Sequence, residues 1–124
     1  PGGSAIYMDF SPAGDRLAVA HYAGSSFRVI DVATGQTIFE RAGPRDGRCI
    51  RYSPDGSRLA VVGHDAHVHL CDAQTGTQLL NLTGSQIPAG TAPFDARVIF
   101  SPDGNRIATH NLQHQIKIWE VESD

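Results

Sequence analysis

The chain has 124 residues, ten Lys and Arg against thirteen Asp and Glu, a formal net charge of −3 and a pI near 6.0. That is room for one domain with a real core and not for two full-sized ones, and mild acidity gives no electrostatic case for a nucleic-acid partner, which calls for a markedly basic surface. No apolar run approaches the ~20 residues of a membrane span, and two cysteines, Cys49 and Cys71, are too few for a disulfide framework, so a reducing, cytoplasmic setting without membrane contact is expected.

The start at Pro1, with no initiator Met and no basic-then-apolar leader, reads as a piece of a longer chain. Residues 1–4 are small and read as a ragged end. Over 5–10, Ile6, Met8 and Phe10 alternate onto one face, which predicts a strand. Ser11-Pro12-Ala13-Gly14 turns the chain: Pro presets φ, the Ser hydroxyl bonds back to backbone, and Gly takes a φ > 0 position. Residues 16–20 are nearly all apolar, as in a strand covered on both faces, and strands at 26–32 and 37–41 follow across the Ala33-Thr34-Gly35 turn.

The same order then recurs. Strands are expected at 48–52, 58–62, 67–73 and 78–82, with turns at Pro54-Asp55-Gly56 and Gln74-Thr75-Gly76. A segment at 84–95 shows no periodicity. A third copy has strands at 96–100, 106–110 and 115–121, after which the chain ends without a fourth. The opening aromatics, Phe10, Tyr52 and Phe100, stand 42 and then 48 residues apart. In each copy an Arg follows six residues later (Arg16, Arg58, Arg106), and an acidic residue closes the unit (Asp31, Asp72, Glu120). Self-similarity at this period marks a repeat architecture. We expect eleven strands, four plus four plus three, and no helix.

A four-stranded antiparallel meander repeated at this period is a β-propeller blade. The all-β reading is therefore three consecutive blades, about 5–42, 48–83 and 96–121, the last lacking its fourth strand. The pattern aromatic-Ser-Pro-Asp-Gly, Arg-Leu-Ala, apolar-Asp or Trp-Glu, then Thr-Gly resembles the WD-repeat family over nearly the whole chain. The family's Trp-Asp pair stands here as Ile30-Asp31, Cys71-Asp72 and Trp119-Glu120, its Gly-His pair is absent, and its loop aspartate is matched by Asp65 alone. The side-chain network that links those residues in the family is thus expected to be incomplete in every blade. Stretches such as 27–35 are also similar to bacterial propellers of the surface-layer and lactonase-like type.

Propellers close with four to eight blades, so three leave two raw faces and exposed strand edges. The expectation is a segment of a longer propeller, completed by blades of the same parent chain or another chain. The alternative is self-assembly of copies, two giving six blades. The function implied by the resemblance is a non-catalytic platform for protein contacts, with no cofactor. In a propeller, the loops before each first strand and after each second strand share one rim. That rim would carry His21, Tyr22, Arg41, Pro44, Arg45, His64, Asp65, Gln113, His114 and the 84–94 segment with Ile87, Pro88 and Phe94.

Two chemical alternatives are weighed against this. His67, His69 and Cys71 alternate along one strand, with His64 nearby, and His and Cys are zinc or copper ligands; yet the repeat fills those positions in any case, so a packed or solvated strand face is favoured. Ser11, Ser53 and Ser101 recur in every copy, which marks turn residues, because an active site needs one special copy. A lactonase-like or metal-dependent propeller enzyme would place its site at the central channel, with His64 or His110 among its groups.

Overall fold

The computed structural model describes residues 6–21, 26–43, 49–63, 68–82, 97–110 and 116–121. They form eleven strands: β1 (Ile6–Phe10), β2 (Arg16–His21), β3 (Ser26–Asp31), β4 (Thr37–Ala42), β5 (Cys49–Tyr52), β6 (Arg58–Val62), β7 (Val68–Asp72), β8 (Gln78–Leu82), β9 (Arg97–Phe100), β10 (Arg106–His110) and β11 (Ile116–Glu120). No helix occurs among the described residues. The strands make three antiparallel sheets in chain order, β1-β2-β3-β4, β5-β6-β7-β8 and β9-β10-β11. The four-four-three meander expected from the repeat is the observed topology.

Register explains the spacing of the repeat. The Arg that opens the second strand of each sheet lies opposite the acidic residue that closes the third: Arg16 and Asp31, Arg58 and Asp72, Arg106 and Glu120. Arg106 and Glu120 come within 3.7 Å. Both side chains are exposed, so this ion pair adds little stability. In the two complete sheets the third strand meets the fourth across a register shift, between Val29 and Ile30 and between Leu70 and Cys71. The bend falls at the same place in both copies.

The second sheet is the centre of the molecule. One of its faces (Ile50, Tyr52, Leu59, Val61, Cys71, Ala73) packs on Ala18, Ala20, Phe27, Val29 and Phe39 of the first sheet. The other (Cys49, Ala60, Val62, Val68, Leu70) packs on Val98, Ile107 and Val121 at the third, with Phe100 and Trp119 beside them. This accounts for the nearly unbroken apolar run of β6: its residues alternate between two cores, and neither side meets water. Within the first sheet, on the face turned to this seam, Phe27 of β3 and Phe39 of β4 meet edge to face, with ring centroids 6.4 Å apart.

The outer faces differ sharply. Ile6, Met8 and Phe10, which alternate as expected, are each more than half exposed, because no sheet covers that side of β1. On the far side of the third sheet, Ile99, Ile116 and Ile118 are exposed too, Ile116 to 73%.

Glycine at the end of the β7–β8 turn is demanded by the first seam. Gly76 has φ of +77°, and a Cβ there would stand 2.6 Å from Cγ of Arg41 and 2.7 Å from Cε1 of Phe39. Strained backbone and a blocked seam act together, so Gly76→Ala is expected to destabilise the chain by about 2 kcal/mol or more in urea unfolding. A loss below about 0.5 kcal/mol would contradict this packing.

Candidate functional site

The turns between first and second strands are built alike. The N–H of Ser11, Ser53 and Ser101 donates to the carbonyl of Arg16, Arg58 and Arg106, and the glycine N–H returns to the serine carbonyl, all at 2.8–2.9 Å. Each serine hydroxyl accepts the N–H of the same arginine at 3.0–3.1 Å. The serines are therefore tied up in backbone, as their repetition implied. Their hydroxyls donate to a carboxylate: Ser53 to Asp55 at 2.8 Å and Ser101 to Asp103 at 2.7 Å. In the first copy Ala13 replaces that aspartate, and Ser11 donates instead to Asp15, at 2.9 Å.

The turns also stack from sheet to sheet. A Cβ on Gly56 would lie 3.3 Å from Cδ of Pro12, and one on Gly104 3.6 Å from Cδ of Pro54. Next to the first of these contacts, Asp9 of β1 crosses the seam. Its carboxylate accepts the N–H of Tyr52 at 2.9 Å and lies 3.9 Å from the Arg51 guanidinium.

Between the first two turns opens a cleft of about 300 Å³, lined among others by Ser11, Asp15, Arg16, Tyr52, Asp55 and Gln74. Tyr52 is 7% exposed, and its buried hydroxyl has no hydrogen-bond partner. Burial raises its pKa above the usual phenol value; Arg16 opposes that shift, while Asp15 and Asp9 add to it. No carboxylate among the described residues lies within ion-pair distance of Arg16. The cleft thus brings together a phenol, a guanidinium and two carboxylates. Sequence reasoning passed over it. The signal was there in the aromatic position, which reads Phe10, Tyr52, Phe100, with a hydroxyl in the middle copy alone.

Of the residues expected to form a loop rim, two are among the described residues. His21 closes β2, half-buried, and Arg41 is exposed on β4, its guanidinium 5.2 Å from the centroid of the Phe39 ring. Tyr22, Pro44, Arg45, His64, Asp65, Ile87, Pro88, Phe94, Gln113 and His114 lie outside the described residues. So do the blade boundaries at 5, 48, 83 and 96 and the whole 84–95 segment. Of the metal candidates, His64 and His67 also lie outside. His69 and Cys71 are on β7, and Cys71 belongs to the apolar seam, where burial pushes its thiol up to about 11. A thiol so placed is a poor thiolate ligand. Among the described residues no three His, Cys, Asp or Glu side chains converge on a metal position.

Stacked sheets of this topology define the class: these are blades of a β-propeller. The family model described as "WD domain, G-beta repeat" matches residues 35–72. The chain is similar to WD repeat-containing protein 1 of Xenopus tropicalis, 37% identical over 76 residues, 61% of this chain. It is similar to the Bos taurus protein of that name, 32% identical over 73 residues, 59% of this chain. It is 27% identical over 116 residues, 93% of its length, to echinoderm microtubule-associated protein-like 4 of Mus musculus. It spans only 11–12% of the length of these relatives. The sheet topology and these matches together support the WD40-repeat β-propeller family.

The turn carboxylates give a titration test. Asp55 accepts from the Ser57 N–H at 3.0 Å, the Ser57 hydroxyl at 2.7 Å and the Ser53 hydroxyl, and these bonds lower its pKa to about 2. Asp103 is lowered as well, first by the Ser101 hydroxyl. A depressed carboxyl stabilises the fold above its unfolded value near 3.8, and the effect fades as pH falls from about 4 to about 2. Carboxyl NMR is expected to place the Asp55 midpoint near 2, and Ser57→Ala to move it up. A midpoint near 3.8 in the parent chain would contradict the turn network.

Proposed function

We propose that this chain is a section of a larger WD40 propeller and serves as a rigid, non-catalytic scaffold or sensor platform for protein contacts. Proteins built of this repeat are generally interaction scaffolds rather than enzymes, which supports the reading. The observation that carries it is the pair of open sheet faces. By repeat position, Met8 and Phe10 correspond to Ile50 and Tyr52, which the first seam buries. Ile116 and Ile118 correspond to Val68 and Leu70, which the second seam buries. Both ends of the stack present the surface that a neighbouring blade covers inside it, so further blades are the natural complement. On the completed ring, the loop rim with His21, Arg41 and the loops around them supplies the contact surface.

Light scattering or native mass spectrometry of the 124-residue chain tests this. The account expects a marginally stable monomer that binds a hydrophobic dye, and loss of dye binding when the flanking parent sequence is restored. A discrete, dye-silent dimer or other closed oligomer of the chain alone would overturn the section reading and favour self-assembly.

A further inference from the structure

Three departures from the repeat converge on one place. The aromatic position carries a hydroxyl only in Tyr52, where the other copies have Phe10 and Phe100. The residue before the arginine is Asp15 in the first copy, against Ser57 and Asn105. The third turn position is Ala13, against Asp55 and Asp103, which removes a carboxylate from the first turn and leaves room in front of it. All three altered residues line the cleft at the first seam. Elsewhere the three turns keep the same serine, proline, glycine and arginine.

The altered residues leave unspent bonding capacity. The Tyr52 hydroxyl is buried and unpartnered, a state that disfavours the empty cleft relative to one holding a hydrogen-bond acceptor. Arg16 lines the same cleft with no carboxylate in range. Asp15 uses Oδ1 for Ser11, and Asp55 uses Oδ1 for Ser53 and Ser57, so Oδ2 of each carries no bond among the described residues. The cleft therefore offers donors from Tyr52 and Arg16 and acceptors from two carboxylates.

We propose that this cleft binds a neutral amide of a partner polypeptide, an Asn or Gln carboxamide or an exposed peptide group. The amide oxygen accepts from the Tyr52 hydroxyl and the Arg16 guanidinium, and the amide N–H donates to the free oxygens of Asp15 or Asp55. Charge decides between ligand classes. An anion such as phosphate would meet two carboxylates against one guanidinium. A simple cation would meet Arg16 and leave the phenol proton without an acceptor. An amide satisfies both kinds of group, and about 300 Å³ holds one side chain with a stretch of backbone. This site lies at the turns between first and second strands, and a small probe tests it whichever polypeptide completes the ring.

The test is an NMR titration of the 124-residue chain with N-acetylglutamine methylamide, and separately with inorganic phosphate. Saturable shifts at the backbone amides of residues 11–16 and 52–56 are expected with the amide probe and none with phosphate. Tyr52→Phe installs the residue that the other two copies carry, so it preserves the fold; it should weaken the probe at least about fivefold, the loss of one buried hydrogen bond. Arg16→Ala should weaken it similarly. Absence of saturation, equal binding by Tyr52→Phe, or preference for phosphate would each overturn the proposal; a cleft that holds only ordered water gives the first of these.

Discussion

Burial of the second sheet on both faces is the constraint from which the rest follows. A β-sheet with two apolar faces cannot stand in water alone, and here the middle sheet is covered by the first sheet on one side and the third on the other. Each fully buried aliphatic side chain contributes roughly 1.5–3 kcal/mol. Ile50, Leu59, Leu70, Val61, Val62 and Val68 all belong to this sheet and are almost completely buried. The outer sheets each receive half of that coverage. Their free sides show what a blade looks like before its neighbour arrives.

Turn chemistry keeps the sheets in step. The serine hydroxyl accepts the arginine N–H, the glycine provides the left-handed residue, and the proline of one turn stands where a Cβ on the glycine of the next would meet it. Asp31 and Asp72 do the equivalent work at the third-to-fourth-strand turns, accepting the N–H of Ala33 and of Gln74 through Oδ1. The rigid end of the molecule is thus defined by short polar side chains bonded to backbone. The cleft at the first seam is the place where that pattern is altered while the seam below it is retained.

Most of the fold was legible because each strand is written three times. The strands at 58–62, 78–82 and 106–110 have the expected limits, those expected at 16–20, 26–32, 37–41, 67–73 and 115–121 end one residue away, and the expected starts at 5, 48, 67, 96 and 115 lie outside the described residues. The site was less legible. The rim expected from the loops falls mostly outside the described residues, which include His21 and Arg41 alone of it. The His and Cys alternation on β7 suggested ligands, but alternation cannot say which face a neighbouring sheet covers, and Cys71 is spent in the seam. Tyr52 stood in an aromatic position whose meaning was packing. Only the three-dimensional juxtaposition with Asp15 and Arg16 reveals that its hydroxyl is buried beside the charged groups of a cleft.

The central claim is that coverage of the middle sheet on both sides holds the molecule together, and native-state hydrogen exchange of the 124-residue chain tests it most directly. The account predicts the strongest amide protection in β6 and β7, and weaker protection in β1 and β11, whose outer faces are open. Equal protection across all three sheets, or greater protection in the outer sheets than in the middle one, would contradict it.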